Sequence, residues 1–168
     1  MLTTAQKIVA SARAQIGDRY VPDYVSLKYP GGDVPRGTGA CTDVVIRALR
    51  TVGFDLQKAV HEDMARSFSA YPRRWGLRRP DKNIDHRRVL NLRVFFTRKG
   101  WRVAKKGDYQ PGDIITWDLP GGLTHTGIIS DRRNAQGVPL ILHNIGPSAS
   151  EADCLTAWPI TGHFRVKV

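Results

Sequence analysis

Cys41 follows Gly37-Thr38-Gly39-Ala40 and opens an apolar run in which Val44, Val45, Ala48, Leu49 and Val52 fall on one face. That pattern puts a thiol at the first turn of a helix. Unpaired backbone N–H groups and the positive end of the helix dipole stabilise a thiolate there, so the placement predicts a lowered pKa and a nucleophilic sulfur. The same N–H groups can hold the oxyanion of an acyl-transfer intermediate. The small residues before the cysteine let a substrate backbone approach. The competing reading is a free cysteine acting as a small buried hydrophobe.

A nucleophilic thiol needs a base. His125 starts a candidate strand just after Gly121-Gly122, and His143 ends the next one, in Leu140-Ile141-Leu142-His143-Asn144. If the two strands pair as a hairpin, the imidazoles become neighbours at one end of the sheet. His125 would then accept the thiol proton, and His143 would hold the His125 ring in the right tautomer. Asn144 is the second choice for that orienting role. For each histidine the alternative is a strand-end residue with a satisfied hydrogen bond. His61, His86 and His163 rank below these two. Cys154, in a loop with Glu151 and Asp153 and no helix start, is expected to be non-catalytic. A zinc site built from Cys41, His125 and His143 is a further reading, but no HExxH or paired-cysteine spacing supports it. No metal or other cofactor is expected.

The elements that must position these residues follow from periodicity. Residues 3–16 read as a helix capped by Thr3 or Thr4, with Ile8, Val9, Ala12 and Ile16 on one face. Residues 18–40 read as a long loop. The Cys41 helix ends at Gly53, a third helix covers about 56–70, and a fourth covers about 85–99 after an Arg-rich loop at 71–84. The period then changes to two, giving candidate strands at 101–104, 113–118, 125–130, 138–144 and 163–168. Helices first and strands afterwards predict an α+β fold, a mostly antiparallel sheet packed on the Cys41 helix.

These segments resemble the NlpC-type papain-like cysteine peptidases. In that family Gly-x-x-Tyr precedes an Asp-Cys-Ser-Gly helix start, and Pro-Gly-Asp precedes a His-Val-Gly-Ile strand. The counterparts are Gly17-Asp18-Arg19-Tyr20, Ala40-Cys41-Thr42-Asp43, Pro111-Gly112-Asp113 and His125-Thr126-Gly127-Ile128, with His143 where the family keeps its third polar residue. The chain also resembles, through most of its length, a bacterial family of unknown function, the YijF-like proteins. The segments concerned are YPGGDVP at 29–35, CTDVVIRA at 41–48, VHEDM at 60–64, NIDHRRV at 83–89, HNIG at 143–146 and TGHFR at 161–165. The resemblance implies a papain-like fold, a Cys41–His125–His143 triad, and hydrolysis of amide bonds in peptidoglycan stem peptides. It implies a periplasmic or secreted enzyme, with a signal peptide absent or removed from this chain. Tyr20 aligns with the family tyrosine near the nucleophile and could donate to the oxyanion or position substrate, with Tyr24 as its rival. Asp43 is read either as a helix-dipole partner or as a grip on a substrate amine or an arginine shaping the cleft.

The net charge of +11 is concentrated in residues 66–106, which hold 14 Lys/Arg against two acids, Asp81 and Asp85. This stretch is a solvated surface or an electropositive face for a polyanion. It lies in a basic insertion at about 55–110 of a single domain spanning 1–168. A nucleic-acid or anionic-polymer binding module is the alternative function, but no zinc-finger or RNA-recognition signature accompanies the charge, and no specific nucleic acid is expected as a partner. No apolar run approaches the ~20 residues a membrane-spanning helix needs.

Overall fold

A computed structural model describes all 168 residues. Helix α1 (Thr4–Ala14) starts at a reciprocal cap: the Gln6 N–H donates to Thr3 Oγ1, and the Thr3 N–H donates to the Gln6 side chain. Helix α2 (Cys41–Arg50) is buried from Thr42 to Leu49. Ala40 offers no side chain to cap it, so Asp43 turns back and accepts the Ala40 N–H at 2.7 Å. Helices α3 (Leu56–Arg66) and α4 (Val89–Arg98) complete the helical layer.

Strands β1 (Arg19–Tyr20) and β2 (Thr38–Gly39) form a small parallel pair before α2. The main sheet is antiparallel throughout, in the order β6 (Ser150–Ala152), β5 (Pro139–His143), β4 (Thr124–Arg133), β3 (Ile114–Asp118), β7 (Ile160–Phe164). The alternation of the strands separates two cores. Ile114, Ile128, Leu142 and Phe164 pack against the helices, while Ile115, Trp117, Ile129 and Ile141 pack under Leu155 on the opposite face. No helix is long and apolar enough to cross a membrane.

Five expected elements differ. The first helix ends at Ala14, which leaves Ile16 exposed rather than on the buried face. The third ends at Arg66, because Ser67 leaves the helical region (φ −141°), and only a single 3-10 turn follows at Phe68–Ala70. The expected helix at 85–99 begins at Val89. Asp85 bends back to accept the Asp81 N–H at 2.6 Å, and Arg88 is extended. Residues 101–104 make only an isolated bridge, Arg102 to Phe164, before turning away through Lys105-Lys106-Gly107, and the final strand lies at 160–164 in register with β3. Strands β1, β2 and β6, two or three residues long, carry too short a pattern to be read from sequence.

Candidate active site

The hairpin of β4 and β5 brings His125 and His143 together. Its register places Ile128 opposite Leu142, which sets His143 opposite Gly127 and diagonal to His125. Gly127 makes this pairing possible. A Cβ there would sit 2.7 Å from Ile141 Cγ2 and 3.1 Å from His143 Cβ, so any larger residue would push the two strands apart. The His125 Nε2 and His143 Nδ1 atoms share a hydrogen bond of 2.7 Å. Both residues are almost fully buried. His125 is in register with Trp117, whose indole stacks on its ring at 5.4 Å, and Trp158 meets the ring edge-on at 5.7 Å. These two tryptophans form a dry box around the imidazole.

Cys41 reaches this end of the sheet from the other layer. Backbone N–H groups of Thr126, Thr42 and Cys41 itself point at its sulfur. Thr126 directly follows His125, so the Cys41 sulfur lies against the stretch of β4 that carries this histidine. The two side chains do not hydrogen-bond to each other, because the sulfur is turned to the Thr126 amide and His125 Nδ1 is left without a protein partner.

The electrostatics correct one expectation. The helix start was expected to lower the Cys41 pKa, and its N–H groups do act in that direction. Burial outweighs them, Asp43 adds its negative charge, and the thiol is pushed up to about 11. Burial, followed by the His143 ring, pulls His125 down to about 3, and burial also lowers His143. The resting site is therefore an uncharged thiol beside uncharged imidazoles.

The remaining predicted residues divide. Tyr20 lies close enough to Cys41 for their charges to interact, which, after burial, raises its pKa. Its ring packs over Gly146 and its hydroxyl accepts and donates no protein hydrogen bond. Tyr24 is drawn elsewhere: its hydroxyl donates to Asp81 at 2.8 Å and accepts from Asn83 at 3.0 Å. Asp43 takes both forks of Arg87 at 3.0 and 3.1 Å, with the two side chains 3% and 2% exposed. The Asp43 carboxylate thus holds an arginine and the α2 cap. Asn144 does not touch His125. Its amide donates to the Asp18 and Gly39 carbonyls, tying the end of β5 to the loop that delivers Cys41. His86 and His61 lie away from this hairpin, and His163 Nε2–H donates to the Asp113 carboxylate at 2.6 Å.

The sequence reading missed the surroundings of the pair. Cys154 Sγ lies 3.8 Å from His143 Nε2, so a second cysteine stands at the His143 end of the histidine pair. Burial pushes the Cys154 thiol up to about 11 as well. Trp117 and Trp158 were also missed. The signal for Trp117 was present in its position on the strand before the Gly-rich turn, four residues ahead of Gly121, but the placement of Cys154 and Trp158 depends on a loop folding under the sheet, where the Trp117 Nε1–H donates to the Leu155 carbonyl at 2.9 Å. A zinc site from Cys41, His125 and His143 does not fit this geometry: the facing ring nitrogens of the histidines bond each other, and no three donors converge.

The fold is shared with solved NlpC/P60-type structures. NlpC1 from Trichomonas vaginalis superposes with a TM-score of 0.55 at 15% identity, covering 96% of this chain and 43% of that one. An NLP/P60 family protein from Staphylococcus aureus subsp. aureus Mu50 gives 0.51 at 16% identity, covering 97% and 41%. The chain thus spans less than half the length of these proteins. An N-acetylmuramoyl-L-alanine amidase from Bacteroides uniformis ATCC 8492 gives 0.59 at 13% identity and covers 96% of this chain and 98% of that one. In sequence, the chain is 54% identical over 163 residues to the uncharacterized protein YijF of Escherichia coli (strain K12), covering 94% of this chain and 80% of that protein. A family model matches residues 9–166, which contain every residue of the site described above, and the chain belongs to that family, described as a domain of unknown function (DUF1287).

Proposed function

We propose that the protein is a cysteine hydrolase that cleaves amide bonds in the stem peptides of bacterial peptidoglycan, in the periplasm or outside the cell. Cys41 is the nucleophile, His125 the proton carrier and His143 the residue that orients it. One observation carries the reading: the 2.7 Å bond between His125 Nε2 and His143 Nδ1 leaves His125 Nδ1 open beside the strand residue whose amide meets the Cys41 sulfur. The fold shared with the NlpC proteins and with a muramoyl-alanine amidase supports the substrate class.

In this reading His125 carries its proton on Nε2 and donates it to His143 Nδ1. Nδ1 is then a bare acceptor. As Sγ attacks the amide carbon, the thiol proton passes to Nδ1 and a C–S bond forms. The oxyanion is held by N–H groups at the start of α2, with the Tyr20 hydroxyl as a further donor. The C–N bond breaks and the imidazolium gives its proton to the leaving amine. Water, deprotonated by His125, then attacks the thioester, and the C–S bond breaks to release a carboxylic acid and restore the thiol. Because both groups start uncharged, charge develops only during the attack. His143 accepting from Nε2 supports the transient imidazolium.

The test is incubation with purified muropeptides, with products read by mass spectrometry. The expected result is a product pair whose masses add to substrate plus one water, with an amide bond cleaved. A folded protein that leaves every muropeptide intact would contradict the proposal.

A further inference from the structure

A cavity of about 860 Å³ opens at the β7 edge of the sheet, between α4, the 101–109 loop and Ile160–Phe164. It lies within the size range of small-molecule sites, roughly 300–1,000 Å³. Strand β3 separates it from the strand carrying His125, and none of its lining residues belongs to the candidate active site.

Its chemistry is of two kinds. The walls include Arg93, Arg98, Arg102 and Lys106, and no Asp or Glu. Asp63 holds Arg98 at 2.7 and 3.0 Å. Asp118 is 3.9 Å from Arg93, a half-exposed contact worth little. Arg102 and Lys106 form no ion pair, so positive charge is left over at the rim. The floor is aliphatic, formed by Leu90, Val94, Val103 and Ile160. Ile160 is 38% exposed to water although it sits in a strand. A ligand that satisfies both halves carries an anionic head and an apolar chain. Nucleic acid fits poorly, since it needs open aromatic faces for its bases. The Tyr109 ring is packed on His163 at 4.9 Å, and Phe164 is buried in the core.

We propose that this cavity binds a single molecule of a lipid phosphate, with its aliphatic chain along Leu90, Val94, Val103 and Ile160 and its phosphate on Arg102, Lys106 and Arg93. The site is independent of the chemistry proposed for Cys41 and stands or falls without it.

Farnesyl diphosphate, soluble as a monomer, is the probe, titrated into the full chain by calorimetry at low salt. Inorganic pyrophosphate, farnesol, phosphatidylglycerol vesicles and oligo-dT are titrated in parallel. The expected result is saturable one-to-one binding of farnesyl diphosphate, about tenfold or more tighter than pyrophosphate, because the chain adds apolar burial to the same charge contacts. Arg102→Gln with Lys106→Gln should weaken it by about tenfold, and raised salt should do the same in the parent. Ile160→Asn should weaken farnesyl diphosphate and leave pyrophosphate unchanged. Amide shifts in the unmutated protein should fall on residues 90–106 and 160–164, which keeps the proposal testable if a variant does not fold. Equal affinity for pyrophosphate would mean a free-anion site and overturn it. Binding to vesicles but not to the monomer would mean a membrane surface and overturn it. Tighter binding of oligo-dT, lost in the double variant, would overturn it in favour of nucleic acid, and no binding of any probe would overturn it outright.

Discussion

The His125–His143 pocket and the 66–106 segment are the two places where this sequence concentrates titratable groups, and the fold treats them in opposite ways. In the pocket the two imidazoles are buried and the two thiols half-buried, and desolvation favours the uncharged form of each, thiols upward and imidazoles downward. In the basic segment the charges persist but divide into two sets. Arg87 is buried in a two-pronged pair with Asp43, Arg98 is held by Asp63, and Arg88 lies over the Trp75 ring at 4.2 Å. Arg73, Arg74, Arg78 and Arg79 are exposed and form no ion pair. What a charge does here is decided by its burial and partner, which residue counts do not reveal.

The largest expected effect lies in the pocket. His143→Ala should lower kcat on a muropeptide by about 10²–10⁴-fold, as removal of an orienting group from a triad does, while KM changes little. His143→Asn should recover part of the loss, because an amide oxygen can accept the His125 Nε2–H. An alanine variant with undiminished kcat would show that the 2.7 Å contact has no part in turnover.

Next in size is the buried pair. Arg87→Ala strands the Asp43 carboxylate and should cost about 3–5 kcal/mol of stability, measured by urea unfolding at neutral pH. Neutralising Arg73, Arg74, Arg78 and Arg79 to Gln should change stability by no more than about 0.5 kcal/mol each and instead weaken binding to intact sacculi. If the quadruple variant proves as destabilised as Arg87→Ala, the division of the segment into fixed and free charges is wrong.

Acid should expose the pocket's cost. His125 and His86 sit at about 3 in the folded protein, and His143 is also lowered. Unfolded histidines take up protons near pH 6.5. Between those values the unfolded chain binds more protons, so stability is full above about pH 6.5 and falls steadily as the pH drops towards 3. His86→Asn, far from the chemistry, should flatten part of this slope. Urea midpoints that stay constant from pH 7 to 4 would mean that these rings are not buried uncharged.

The sequence reading placed the two histidines side by side and missed their surroundings. The α2 stripe and the β4–β5 hairpin were readable, because each repeats a clear period over several residues, and Gly127 has a packing reason that fits the His-x-Gly-Ile pattern. The direction of the Cys41 pKa was misread. A helix start is local and visible in sequence, whereas the burial that outweighs it depends on how the chain packs around the thiol. Cys154 was dismissed on local context, yet the turn after β6 brings it to His143. Asn144 was read as a second choice to orient His125, and Asp43 as a helix-dipole partner or a grip on a substrate amine or an arginine, of which the arginine is what it holds. Both are taken up by partners distant in sequence, the carbonyls of Asp18 and Gly39 in one case and Arg87 in the other. The NIDHRRV segment failed as a helix start for the same reason, since Asp85 and Arg87 answer to Asp81 and Asp43.

Cys154 touches His143, so the choice between Cys41 and Cys154 as nucleophile decides the proposed chemistry. The most direct test is to quench the protein with acid during turnover of a muropeptide and map the acyl adduct by peptide mass spectrometry. The adduct is expected on the peptide containing Cys41, none on that containing Cys154, and no turnover in Cys41→Ala. An adduct on Cys154, or turnover that survives Cys41→Ala, would contradict it.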